Sequence, residues 1–142
     1  MPKGLFRSSK WGSRLTITLA SALPNISDSV TITGPGASQL AVSGNDSYRV
    51  FRIAVGKTVA ISSLTIKDGK APDSGGGIYR GGGIYNEGTL MLTNSTLSDN
   101  QAASTGGGIS NLGTLTVTNS TLSGNRATGA SSWGGGIYSA GT

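Results

Sequence analysis

GGGIYNEGTLMLTNSTLSDNQAAST, residues 81–105, is followed directly by GGGISNLGTLTVTNSTLSGNRATGASSW, residues 106–133, and then by GGGIYSAGT, residues 134–142. The chain says nearly the same thing twice and begins a third time. Its GGGI tetrads start 25 and then 28 residues apart. A period of roughly 20–50 residues marks stacked repeats. Apolar residues at helical spacing are missing here, and strand-type residues fill the period, so the fold expected is an all-β, right-handed parallel β-helix, a β-solenoid.

Alternation of side chains along a strand assigns each position to the core or the solvent. Within TLMLT and TLTVT, Leu90, Leu92, Leu115 and Val117 are expected inside. Thr89, Met91, Thr93, Thr114, Thr116 and Thr118 are then outside. Ile84, Ile109 and Ile137 follow the glycines and are expected to form one aliphatic column, coil over coil at about 4.8 Å. Leu97 over Leu122 and Ala102 over Ala127 form two more. One such coil cannot bury its own narrow core, so neighbouring coils must cover it.

Asn recurs at matching phases: Asn86 with Asn111, Asn94 with Asn119, Asn100 with Asn125. At a corner, Asn accepts left-handed backbone and bonds neighbouring main chain. Stacked Asn side chains also bond along the axis as ladders. Gly124 facing Asp99 indicates that one turn position takes either residue. Upstream, GGGIY at 75–79 and at 81–85 are only six residues apart, too close for a coil. The copy at Gly81 is expected to carry the register, because Gly88-Thr89-Leu90 follows it as Gly113-Thr114-Leu115 follows Gly106.

The first half repeats more loosely. Residues 14–23, 30–33, 50–55, 59–61 and 64–66 read as strands, with Leu40 and Val42 between, separated by Pro, Gly, Asn and Ser turns. No connection has room for a crossover helix. The organisation expected is a basic N-terminal arm or cap at 1–13 and a solenoid of about five to six coils over 14–142.

Charged residues make up only 12% of the 142, with 24 glycines and abundant Thr, which favours ordered β-structure over disorder. The net charge is +5, and Lys3, Arg7, Lys10 and Arg14 supply most of it, leaving a nearly neutral body. The basic arm is read as a solvated extension, and no nucleic-acid partner is expected. Thr16 and Thr18 alternate with Leu15, Ile17 and Leu19, so this stretch reads as a strand and lacks the apolar run of a signal peptide. No stretch is long enough to span a bilayer as an apolar helix.

These residues also carry a resemblance. GGGI with a Leu-x-x-Asn unit, at Leu97–Asn100 and Leu122–Asn125, resembles the GGAI and FxxN repeat units of chlamydial polymorphic outer-membrane proteins, with Leu in place of Phe. The longer run from Thr16 to Gly44, with GGGIYNEGTL and TNSTLSGN, resembles large right-handed parallel β-helix surface proteins of bacteria in the pectin-lyase-like superfamily. The similarity spans about Leu15 to Thr142. It implies an extracellular or cell-surface location, and it is specific for architecture, since that fold hosts adhesins, lyases, hydrolases and tailspikes alike.

The chemistry available to the chain is narrow. It has no Cys and no His, which removes thiolate and imidazole chemistry, including every His-dependent triad. Lyases and polygalacturonases of the superfamily cluster acids. Here Asp28, Asp46, Asp68, Asp73, Asp99 and Glu87 are read as sharing no phase of adjacent repeats, with Asp68 and Asp73 near Arg80 the nearest thing to a cluster. No tetrad carries the Asp of a G-G-x-G-x-D calcium repeat, and no helix follows the glycines as dinucleotide binding requires. No catalytic, cofactor or metal residues are therefore assigned, and no cofactor is expected.

Three surface features remain. Thr114, Thr116 and Thr118 above Thr89 and Thr93, joined by Thr31/Thr33 and Thr16/Thr18, resemble ice-binding arrays, interrupted by Met91 and Lys67. The Asn-x-Ser/Thr matches at Asn25, Asn45, Asn94 and Asn119 read as structural Asn. Tyr85, Tyr138 and Trp133, with Tyr79, form a possible ligand surface for sugar, broken by Ser110. The function expected is a structural, adhesin-like repeat segment, with a head-to-tail filament subunit and a carbohydrate-binding or carbohydrate-active fragment as alternatives. The partners expected are another copy or a continuing chain at the open coil ends, or a polysaccharide or host surface.

Overall fold

A computed structural model describes residues 13–71 and 80–142. The expected basic arm up to Trp11, and the first GGGIY copy at 75–79 with Asp73, lie outside the described residues. Short runs rich in Thr, Val, Ile and Leu form parallel strands, and each returns about one coil later beside its predecessor. The result is a β-solenoid of about five turns.

Three sheets make the walls. The first contains β1 (Leu15–Thr18), β3 (Leu40–Ser43), β6 (Thr65–Lys67), β9 (Thr96–Ser98) and β13 (Thr121–Ser123), in that spatial order. The second contains β2 (Val30–Thr33), β5 (Thr58–Ser62), β8 (Thr89–Thr93) and β12 (Thr114–Thr118). The third contains β4 (Phe51–Ile53), β7 (Ile84–Asn86), β11 (Ile109–Asn111) and β15 (Ile137–Ser139). A two-stranded ribbon of β10 (Gln101–Ala102) and β14 (Arg126–Ala127) lines one corner, with Ala102 beside Ala127.

Period-two alternation turns the aliphatic side chains into columns. Leu90 sits between Val59 and Leu115, and Leu92 between Ile61 and Val117. Leu97 lies between Ile66 and Leu122, and Ile84 between Phe51 and Ile109, with Ile137 beyond. Leu90, Leu92, Leu97, Ile84 and Ile109 are fully buried. Burying each such side chain stabilises by about 1.5–3 kcal/mol. Coverage fails toward the ends of the rod. Leu115, Val117 and Leu122, expected inside, are only partly buried, and Ile137 is 38% exposed. Leu15 and Ile17 on the first strand are 72% and 52% exposed.

Two corners are held by left-handed backbone. Ser63, Asn94 and Asn119 have φ of 59°, 49° and 46° at one of them. At the other, Asp68, Asp99 and Gly124 have φ of 48°, 56° and 64°. Asn, Asp and Gly tolerate this region best, which is why these types recur there. The first strand is shorter than the sequence pattern indicates: alternation continues to Leu19, but pairing stops at Thr18 before the Pro24 turn. The expected strand over 50–55 shrinks to Phe51–Ile53, with Val55 left 73% exposed.

Candidate functional site

The third sheet and the turns that enter it hold most of the unusual chemistry. Three of the four turns into this sheet read X-Gly-Gly-Gly-Ile, where X is Arg80, Thr105 or Trp133, three residues bridged in parallel from coil to coil. Gly81, Gly106 and Gly134 share φ of 63°, 64° and 65°, and a Cβ at Gly106 would run into the Ile109 carbonyl. The Gly81 copy thus lies in register with Gly106 and Gly134, its N–H donating to Thr105 O as that of Gly106 donates to Trp133 O.

On the wall after this turn, Arg52, Tyr85, Ser110 and Tyr138 align in one column. The column is not a continuous aromatic strip. Tyr85 is only 7% exposed, and Ser110 is buried against the Thr105 hydroxyl at 3.3 Å. Trp133 is 67% exposed and Tyr138 half-buried, so these two are available at the far end while Tyr85 is not. Tyr79 lies outside the described residues.

What covers Tyr85 is a pair of cations. The Arg49 and Arg52 guanidinium carbons lie 5.3 and 5.2 Å from the centroid of its ring. Arg52 donates through Nε to Glu87 Oε2 at 2.9 Å, and its Nη2 forms an ion pair with the same oxygen, also at 2.9 Å. Arg49 donates through Nε to Gly81 O at 2.9 Å and through Nη2 to Arg80 O at 2.7 Å, pinning the start of the glycine turn. Burial, and then the nearby Arg52 charge, pull the Arg49 pKa below its ordinary value. The ring quadrupole and Glu87 offset that repulsion. The buried Nε of Arg80 has no hydrogen-bond partner. Beside Arg49 and Arg52 opens a cleft of about 140 Å³, lined also by Asn25, Ser47, Tyr48 and Leu23.

Arg49 and Arg52 did not figure among the sequence-derived candidates, and Arg80 figured only beside Asp68 and Asp73. A signal was present: Phe51-Arg52-Ile53 aligns with Ile84-Tyr85-Asn86, which stacks Arg52 on Tyr85. The sixteen residues between Lys67 and Ile84 obscured that alignment.

The Asn positions divide into two kinds. Asn86 Nδ2 donates to Asn111 Oδ1 at 2.7 Å, and Asn111 Nδ2 to Ser139 Oγ at 2.9 Å. Asn100 Nδ2 donates to Asn125 Oδ1 at 2.9 Å. These are axial ladders. Asn94 and Asn119 instead serve as left-handed corner residues, exposed like Asn25 and Asn45.

Two readings of the surface need correction. Asp68 and Asp99 do share a phase, because Lys67 pairs with Ser98 and each Asp follows directly; Asp46 lies one coil earlier, its N–H donating to Asp68 O. The sixteen residues between Lys67 and Ile84 hid the first recurrence, and the extra residues of the Gly44-Asn45-Asp46 corner hid the second. The Asp68 carboxylate is engaged by Ser43 at 3.2 Å and Lys67 at 3.0 Å. Among the described residues no group of three His, Cys, Asp or Glu is placed to hold a metal ion.

The Thr array is also smaller than expected. Thr31, Ala60, Met91 and Thr116 form one row of the second sheet, and Thr33, Ser62, Thr93 and Thr118 another. Thr16, Thr18 and Lys67 belong to the first sheet. They neither extend nor interrupt these rows, since an earlier corner had sent that strand to another wall.

A family model described as the Chlamydia polymorphic membrane protein repeat matches residues 119–140, the segment that runs from β13 through the third glycine turn. No curated protein and no solved structure matches the chain. The chain is thus a β-solenoid repeat protein similar, over this segment, to a surface-protein repeat that is structural and not an enzyme family. Among the described residues no helix is long and apolar enough to cross a membrane.

Proposed function

We propose that this chain is a stiff, non-catalytic repeat segment of a bacterial surface or outer-membrane-associated protein, used for adhesion or display. The observation that supports it is that the matched repeat covers most of one structural coil: residues 119–140 supply a left-handed corner, the Leu122 and Asn125 ladder positions, and the glycine turn. The aliphatic and Asn side chains that recur from coil to coil in the central turns are devoted to burial and axial hydrogen bonding. Binding falls to residues that do not recur. Antibody labelling and protease shaving of intact source cells test the location, and signal appearing only after lysis would sink it. Release of new reducing or unsaturated ends from acidic polysaccharide by the pure chain would overturn the non-catalytic reading.

A second reading, head-to-tail stacking of copies, is favoured by the apolar side chains exposed at the two ends, Leu15, Ile17 and Val30 at one and Ile137 at the other. Their strands pair on one side only among the described residues, and open edges template further pairing. Sedimentation velocity over a wide concentration range tests it. A strictly monomeric rod throughout would exclude stacking.

A further inference from the structure

The cleft beside Tyr85 has chemistry that the solenoid itself does not need. A coil stands without an arginine pair, as the Ser110 coil does with neutral side chains in the same column. Here Arg49 and Arg52 are held over one ring, against the single carboxylate of Glu87. The two guanidinium groups are fixed through Nε and Nη2. Both arginines line the cleft, and no carboxylate is among the residues that line it with them. An excess of anchored, planar donors is the arrangement that recognises an oxyanion, by charge-assisted and bidentate bonds.

The rest of the cleft narrows the class of anion. Ala22, Leu23 and Val50 give it an apolar side, the Tyr48 ring flanks it, and the exposed Asn25 amide supplies hydroxyl-compatible donors and acceptors. Its volume of about 140 Å³ is below the roughly 300 Å³ of a pocket enclosing a drug-sized ligand. That suits one acidic substituent and part of its ring on a longer ligand lying across the surface. We infer that the Arg49–Arg52 cleft binds an acidic saccharide, a sulfated or uronate-bearing glycan, through its carboxylate or sulfate group. This goes beyond the structural role proposed above and does not depend on where the rod is displayed.

The test is titration of the full 142-residue chain with a heparin-derived hexasaccharide, a hexagalacturonate and neutral maltohexaose, followed by calorimetry and by NMR of the arginine Nε–H signals. Binding of one or both acidic oligosaccharides, with Arg49 and Arg52 signals moving and maltohexaose inert, is the expected result, and the arm that binds identifies sulfate or carboxylate. Arg52→Gln, at a 40% exposed side chain, is expected to weaken binding about tenfold with the thermal midpoint nearly unchanged, and Arg49→Lys is the second variant. A triple variant, Lys3→Gln/Arg7→Gln/Lys10→Gln, is expected to bind as wild type. Binding lost in the triple variant but kept in Arg52→Gln would overturn the inference. So would equal affinity for inorganic sulfate, tighter binding of single-stranded DNA, or still arginine signals at millimolar ligand.

Discussion

The side-chain amide of Asn86 donates to Asn111 Oδ1 across 2.7 Å, from one coil to the next, with both residues fully buried. The same amide reaches Gly88 O and Thr114 O, and Asn86 Oδ1 accepts from Gly88 N–H. One polar side chain thus closes a corner and joins two coils. Asn86→Ala leaves several buried groups unpaired and is expected to cost about 3 kcal/mol. Urea denaturation of the variant measures this, and a loss under 1 kcal/mol would show the ladder to be replaceable by water.

Position along the rod sets the cost of the same truncation. Leu92→Ala, in a central coil with neighbours above and below, is expected to destabilise by about 2–5 kcal/mol. Ile137→Ala, 38% exposed, is expected to cost about 1 kcal/mol or less. Equal midpoints for the two variants would contradict the one-dimensional picture of the core.

Glycine turns differ in what they tolerate. Gly106→Ala combines positive φ with a collision against the Ile109 carbonyl, and is expected to destabilise by more than about 2 kcal/mol. Gly56 also has positive φ, at 74°, but open space around it. Gly56→Ala is therefore expected to cost only about 1 kcal/mol. Parallel thermal melts separate the two contributions, strain and clash.

Amide hydrogen exchange should map protection onto coil position. β7, β8 and β9 are paired on both sides and hold the fully buried Ile84, Leu90, Leu92 and Leu97, so their amides are expected to exchange slowest. β1 and β15, paired on one side, should exchange fastest. Uniform protection along the rod would contradict this.

Architecture was legible where the repeat was exact and obscure where coil length changed. Leu90, Leu92, Ile84 and Asn86 could be assigned because GGGIYNEGTLMLT and GGGISNLGTLTVT differ by substitution alone. The Arg52–Tyr85 stack and the shared phase of Asp68 and Asp99 could not, because each crosses a corner where residues are inserted. Alternation alone also cannot tell which wall a strand joins. That is why Thr16 and Thr18 were grouped with a Thr row on another sheet. The depth of burial was equally invisible: Leu115 and Leu90 both follow Gly-Thr at the same strand position, yet Leu90 is fully buried and Leu115 only partly, because Leu115 lies on an edge strand.

The insertions have a common address. Ten residues separate Ser98 from Ile109, thirteen separate Ser123 from Ile137, and sixteen separate Lys67 from Ile84, whereas β7 to β9 and β11 to β13 keep identical spacing. Length variation in these coils therefore enters at one edge of the cross-section, just ahead of the glycine turn that restores registry. A chain built this way can lengthen, shorten or exchange that edge without shifting a single interior column. Recognition at Arg80 or Trp133 is then free to diversify independently of the scaffold that presents it.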